Sequence, residues 1–81
     1  MTDQEILDKL TVILRDLLSD DSIALAMDTT RSMVPNWDSF AYVTFIATVE
    51  MQLGIRFRVA DMESFASIGD IVLEVKRLLA K

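Results

Sequence analysis

Two blocks of apolar residues at helical spacing constrain this chain more than any other feature. Near the start, Ile6, Leu7, Leu10, Ile13, Leu14, Leu17 and Leu18 recur at intervals of three and four. Near the end, Ile68, Ile71, Val72, Val75, Leu78 and Leu79 do the same. Each set falls on one side of an α-helix, and each helix then needs a neighbour to cover that side. Local signals mark where the helices begin. Thr2 and Glu5 form a capping box, with the hydroxyl accepting from the Glu5 amide and the carboxylate from the Thr2 amide. Asp3, Glu5 and Asp8 suit the positive end of that helix, and Glu5 with Lys9 predicts an ion pair on its wet face. Ser67 and Asp70 open the last helix, and Lys76, Arg77 and Lys81 suit its negative end.

Between these blocks the spacing predicts a second helix from about Ser39 to Leu53, stopped by Gly54. It carries two apolar stripes, Tyr42-Phe45-Ile46-Val49-Leu53 and Phe40-Val43-Ala47-Met51. One core face does not need both. The second stripe faces a partner, lines an internal pocket, or makes this the central buried helix of a bundle. Residues 20–37 form a long connection, a length that usually carries function or hides a helical turn. Its Ile23, Leu25, Met27, Met33 and Val34 predict a loop packed across the bundle. Asp20 and Asp21 are not a calcium loop, because its glycine and closing acid are missing. After Gly54, Ile55, Phe57 and Val59 alternate with Arg56 and Arg58. A lone strand has nothing to pair with, so an extended connector with those three residues inward is expected. A short helix over Ala60 to Phe65 follows, packed through Met62 and Phe65. The fold class is therefore all-α: a small four-helix bundle of three longer helices and a short third, in one domain over residues 1–81.

Composition excludes several functions. With no cysteine there is no thiolate nucleophile or zinc-thiolate site, and with no histidine the commonest general base and metal ligand is missing. No metal site and no catalytic residues are expected, since Lys9 and Lys76 lie on polar faces of other helices and Gly54 and Gly69 stand alone. A net charge of −5 argues against nucleic acid. No apolar run is long enough to span a membrane, and the N-terminus lacks the pattern of a signal peptide, so cytoplasmic residence is the default expectation; a monomer is expected because the only candidate apolar patch is small.

One stretch stands apart, Val34-Pro35-Asn36-Trp37-Asp38-Ser39-Phe40. It places a serine after an acid at the start of the second helix, where backbone amides and the helix dipole favour an anion. Pro35 stiffens the approach and Trp37 can anchor the loop. The plain reading is that Asp38-Ser39 supplies a helix cap. The sharper one makes Ser39 the attachment point of a phosphorylated group.

Trp37-Asp38-Ser39-Phe40, the long apolar helix after it, and then Gly54-Ile55-Arg56-Phe57 resemble the acyl carrier protein family. Members carry Asp-Ser-Leu at the start of their second helix, and the resemblance in helical order covers almost the whole chain. It implies a non-enzymatic carrier with 4'-phosphopantetheine esterified to Ser39 by a phosphopantetheinyl transferase, and with Asp38 beside the transferring metal and arm. It also implies acyl or aminoacyl thioesters loaded by a ligase or synthetase and delivered to a downstream acyltransferase or synthase. The missing cysteine is then no obstacle, because the sulfur comes with the arm.

This chain departs from the family pattern at Phe40, which replaces leucine as it does in some carriers, including D-alanyl carriers. Between Ser39 and Leu53 the only charge is Glu50, and Arg56 and Arg58 follow. Ala41, Thr44, Met51 and Gln52 stand where acids are common in the family. These departures favour a dedicated carrier of a specialised pathway, whose partner reads an apolar face formed by Phe40, Val43 and Ala47, and a single domain without flanking ones is expected to be a stand-alone carrier. A long acyl chain would enter the bundle between the second and fourth helices, near Phe45, Val49 and Ile71. The alternatives are an aminoacyl or D-alanyl carrier, or an unmodified helical interaction module that uses the second helix for binding alone.

Overall fold

The computed structural model describes residues 1–80 and contains α1 (Asp3–Leu18), α2 (Ser39–Leu53), α3 (Val59–Ser64) and α4 (Ile68–Leu79). A 3-10 turn, Arg31–Met33, interrupts the long α1–α2 connection. No strand occurs among the described residues. The expected all-helical bundle, with three longer helices and one short, is what forms.

Each longer helix begins where its sequence provides a cap. The Thr2 hydroxyl accepts from the Glu5 amide at 3.1 Å, and the Glu5 carboxylate accepts from the Thr2 amide at 2.8 Å. Glu5 spends its carboxylate there, and the expected pair with Lys9 does not form among the described residues; Gln4 bonds Asp8 instead. Asp38 caps α2 and Ser67 caps α4. At the other ends, Ser19 and Gly54 take left-handed backbones with φ of 53° and 67°, which turn the chain out of α1 and α2.

The core sits where α1 meets both α2 and α4. Ile6, Leu10, Leu14, Phe45, Val49, Val72 and Val75 are fully buried there. Each contributes roughly 1.5–3 kcal/mol of burial free energy. Lys76 of α4 reaches Asp3 of α1 at 3.0 Å, so the two helices run antiparallel.

The α1–α2 connection packs across the bundle, burying Ile23, Leu25, Val34 and Trp37, but Met27, the third residue of the expected alternation, is exposed. Arg15 Nε donates to the Ile23 carbonyl at 2.6 Å. The Thr29 and Met27 carbonyls accept from the Ile68 and Gly69 amides at 2.8 and 2.7 Å. The loop thereby satisfies two donors that the start of α4 cannot satisfy by itself. At this crossing a Cβ on Gly69 would stand 2.7 Å from the Met27 oxygen, so the close approach needs glycine.

Several expectations are corrected. Met33 is exposed on the 3-10 turn while Val34 behind it is buried. In the connector Phe57 is buried and Ile55 partly so, but Val59 begins α3 with its side chain outward, because helical geometry replaces strand alternation at that point. The short helix accordingly spans Val59–Ser64 and leaves Phe65 just beyond it, edge-on to Phe57 at 5.6 Å. Leu79, in the last turn of α4, lies largely outside the core. The proposed role of Lys81 falls outside the described residues.

Candidate functional site

The second helix settles which of its stripes is core. Phe45, Ile46 and Val49 are buried, whereas Phe40, Val43 and Met51 are 82%, 64% and 78% exposed, and Ala47 is exposed between them. The helix is not wrapped on all sides, so the central-helix reading is overturned. Glu50, its sole acid, folds back to accept from the Phe57 amide at 2.7 Å. The outward face of α2 therefore presents apolar and neutral groups, with no charge directed from it.

Ser39 is the first residue of this helix and is exposed. The cap is Asp38, whose Oδ1 accepts from the Ala41 amide at 2.8 Å. Capping thus falls to Asp38, and the Ser39 hydroxyl is free of that duty. Asn36, with φ of 68°, takes the left-handed backbone that asparagine tolerates, and it turns the chain into Trp37. Trp37 is only 5% exposed and anchors the approach. Its ring stands edge-on to Phe45 at 5.2 Å and tilted against Tyr42 at 5.9 Å. Its indole N–H is buried and unpartnered among the described residues.

Beside Ser39 lies a cavity of about 920 Å³ between α2, α3, the start of α4 and the 3-10 turn. Arg31, Asp38, Ser39, Tyr42, Met62 and Ile71 are among its lining residues. Its size suits a ligand pocket, commonly about 300–1,000 Å³. Of the three residues expected near a buried acyl chain, Ile71 lines this cavity. Phe45 and Val49 instead lie in the core between α1 and α2. On α2 the cavity side is taken by Tyr42 and Ile46, which are offset around the helix from Phe45 and Val49. Tyr42 donates to the Met62 carbonyl at 2.8 Å and ties α3 over it. Burial pushes the Tyr42 hydroxyl above its usual range, and the positive charge of Arg31 opposes the shift. The Arg31 guanidinium lies 5.1 Å from the Tyr42 ring centroid.

A second cluster of charges lies where α3 and α4 come together. Arg58 pairs with Asp61 at 3.0 Å and Arg77 with Glu74 at 2.6 Å. The arginines hold both carboxyls below their usual range. The sequence shows these as i, i+3 pairs but does not bring them together. Among the described residues no group of three or more His, Asp or Glu side chains gathers to hold a metal, and no helix is long and apolar enough to cross a membrane. With no histidine in the chain, the exposed hydroxyl of Ser39 has no imidazole base.

The holo acyl carrier protein of Geobacter metallireducens, solved in solution by NMR, superposes with a TM-score of 0.85. It is 32% identical, and the match covers 91% of this chain and 85% of that one. No family model and no curated protein matches the chain.

Proposed function

This chain belongs to the acyl carrier protein family, and from that premise we propose that Ser39 is its point of attachment for a phosphopantetheine arm. One observation carries the proposal: the exposed hydroxyl at the first position of α2, relieved of capping by Asp38 and set at the rim of the cavity. The helix start favours a phosphodiester there by roughly 0.3–1 kcal/mol. When bound, the group supplies a terminal thiol on which acyl or aminoacyl groups are held as thioesters. Ser39 Oγ would hold the group, the cavity between α2 and α3 has room for part of it, and Ile71, Met62 and Tyr42 are among the side chains that would line that part.

The partners of this reading are a phosphopantetheinyl transferase, a loading ligase or synthetase and a downstream synthase or acyltransferase. The uncharged outward face of α2, with Phe40, Val43 and Ala47, favours a dedicated partner that reads apolar surface, and hence a specialised pathway. Phe40 beside the serine is equally compatible with an aminoacyl or D-alanyl carrier.

The test is intact mass after incubation with coenzyme A, magnesium and a broad-specificity transferase. A gain of one phosphopantetheine in the parent and none in Ser39→Ala is expected. No gain with several transferases would defeat the attachment reading and leave the α2 face as a binding surface only.

A further inference from the structure

We propose that Arg31 is the chain's own counter-charge for the phosphodiester on Ser39, an inference that rests on the attachment reading above. Arg31, Asp38 and Ser39 line the same cavity. The Arg31 guanidinium is held over the Tyr42 ring, 5.1 Å from its centroid. Tyr42 lies three residues after Ser39 on α2, so the two side chains are neighbours on one face, with about 5–6 Å between Cβ atoms. The platform is fixed, because the Tyr42 hydroxyl bonds Met62 and its ring packs on Trp37.

The cation is available. The ion pairs among the described residues engage Arg58, Lys76 and Arg77, and none engages Arg31. The need for it is equally local. A phosphodiester on Ser39 adds a negative charge next to Asp38 in a chain already at −5. Asp38 cannot move away without uncapping α2. A guanidinium presents a planar fork of donors that matches phosphate oxygens, and stacking on Tyr42 orders that fork in advance. Arg31 thereby offsets the repulsion between Asp38 and the modified serine after the transferase has left. It is a positioning residue for the arm and plays no part in the transfer.

The experiment compares the parent, Arg31→Gln and Arg31→Lys, each before and after loading. Arg31 sits on an exposed turn, so all three should fold. Intact mass first reports loading, and a parent that takes up no arm overturns both readings together. With loading confirmed, thermal unfolding at low salt measures the change from apo to holo. Comparing apo-to-holo changes cancels the lost Tyr42 contact, which affects both forms. Arg31→Gln should make that change less favourable by about 2–6 °C relative to the parent, and Arg31→Lys by less. The Arg31 Nε–H resonance of the parent should also move on loading. Equal changes in the parent and Arg31→Gln, within about 1 °C, would overturn the assignment while leaving the attachment reading intact.

Discussion

Replacing Gly69 by alanine should destabilise the protein by about 1–3 kcal/mol, although alanine is the better helix former. The added Cβ would stand 2.7 Å from the Met27 oxygen, 3.5 Å from its carbonyl carbon and 3.6 Å from its Cβ. The nearest of these is backbone and cannot swing away. That oxygen also accepts the Gly69 amide, and the neighbouring Thr29 carbonyl accepts the Ile68 amide. Relieving the clash therefore pulls the loop off α4 and lengthens both bonds. Overpacking costs about 1–3 kcal/mol, a weakened hydrogen bond about 0.5–1.5, and alanine's helix propensity returns up to about 1. For a domain this size the balance lowers Tm by roughly 5–20 °C. Gly54 is the control. It has nothing within 4 Å of a Cβ, but its φ is +67°. Alanine there costs about 1–2 kcal/mol for the left-handed backbone alone. Asparagine tolerates that backbone, so Gly54→Asn should recover most of the loss, whereas Gly69→Asn should not, because it keeps the offending Cβ. Urea unfolding of the four variants, with amide exchange at residues 68 and 69, reads the difference. A Gly69→Ala protein as stable as the parent, or a Gly69→Asn as well tolerated as Gly54→Asn, would refute the reasoning.

Phe40→Ala and Met51→Ala should change stability by less than about 0.5 kcal/mol, because both side chains already lie in solvent. The same changes should weaken capture by a cognate partner, with little dependence on salt, which a binding titration at two ionic strengths would show. Acid should destabilise the fold through Glu5, Asp20, Asp61 and Glu74. Their carboxyls are held low respectively by the Thr2 amide, the Ser22 hydroxyl, Arg58 and Arg77. The unfolded chain takes up protons first. This stability is complete above the ordinary carboxylate range and is lost from about pH 5 downward as the lowered native values are crossed. Thermal melts between neutral pH and about pH 3 should show a steady fall, and a flat profile would show that these contacts carry no net stabilisation.

The helices themselves were legible in the sequence. The Thr2–Glu5 box, the Ser67 cap, the stop at Gly54 and the two clean apolar stripes all lie within a few residues of what they govern. Ser39 was legible as a serine at a helix start beside an acid, but the division of labour with Asp38 was not. Either residue caps well, and the backbone leading out of Asn36 decides which does. The two stripes of α2 could not be ranked, since both are apolar at the same spacing. Only the position of α1 buries Phe45 and Val49 and leaves Phe40, Val43 and Met51 in water. The cavity, the stacking of Arg31 on Tyr42 and the need for glycine at position 69 arise where the long loop meets α2 and the start of α4. Capping and helical periodicity act over three or four residues, so the order of amino acids determines them directly. Which face is covered, which cation stays unpaired and where two backbones touch depend on segments tens of residues apart, and packing alone brings those together.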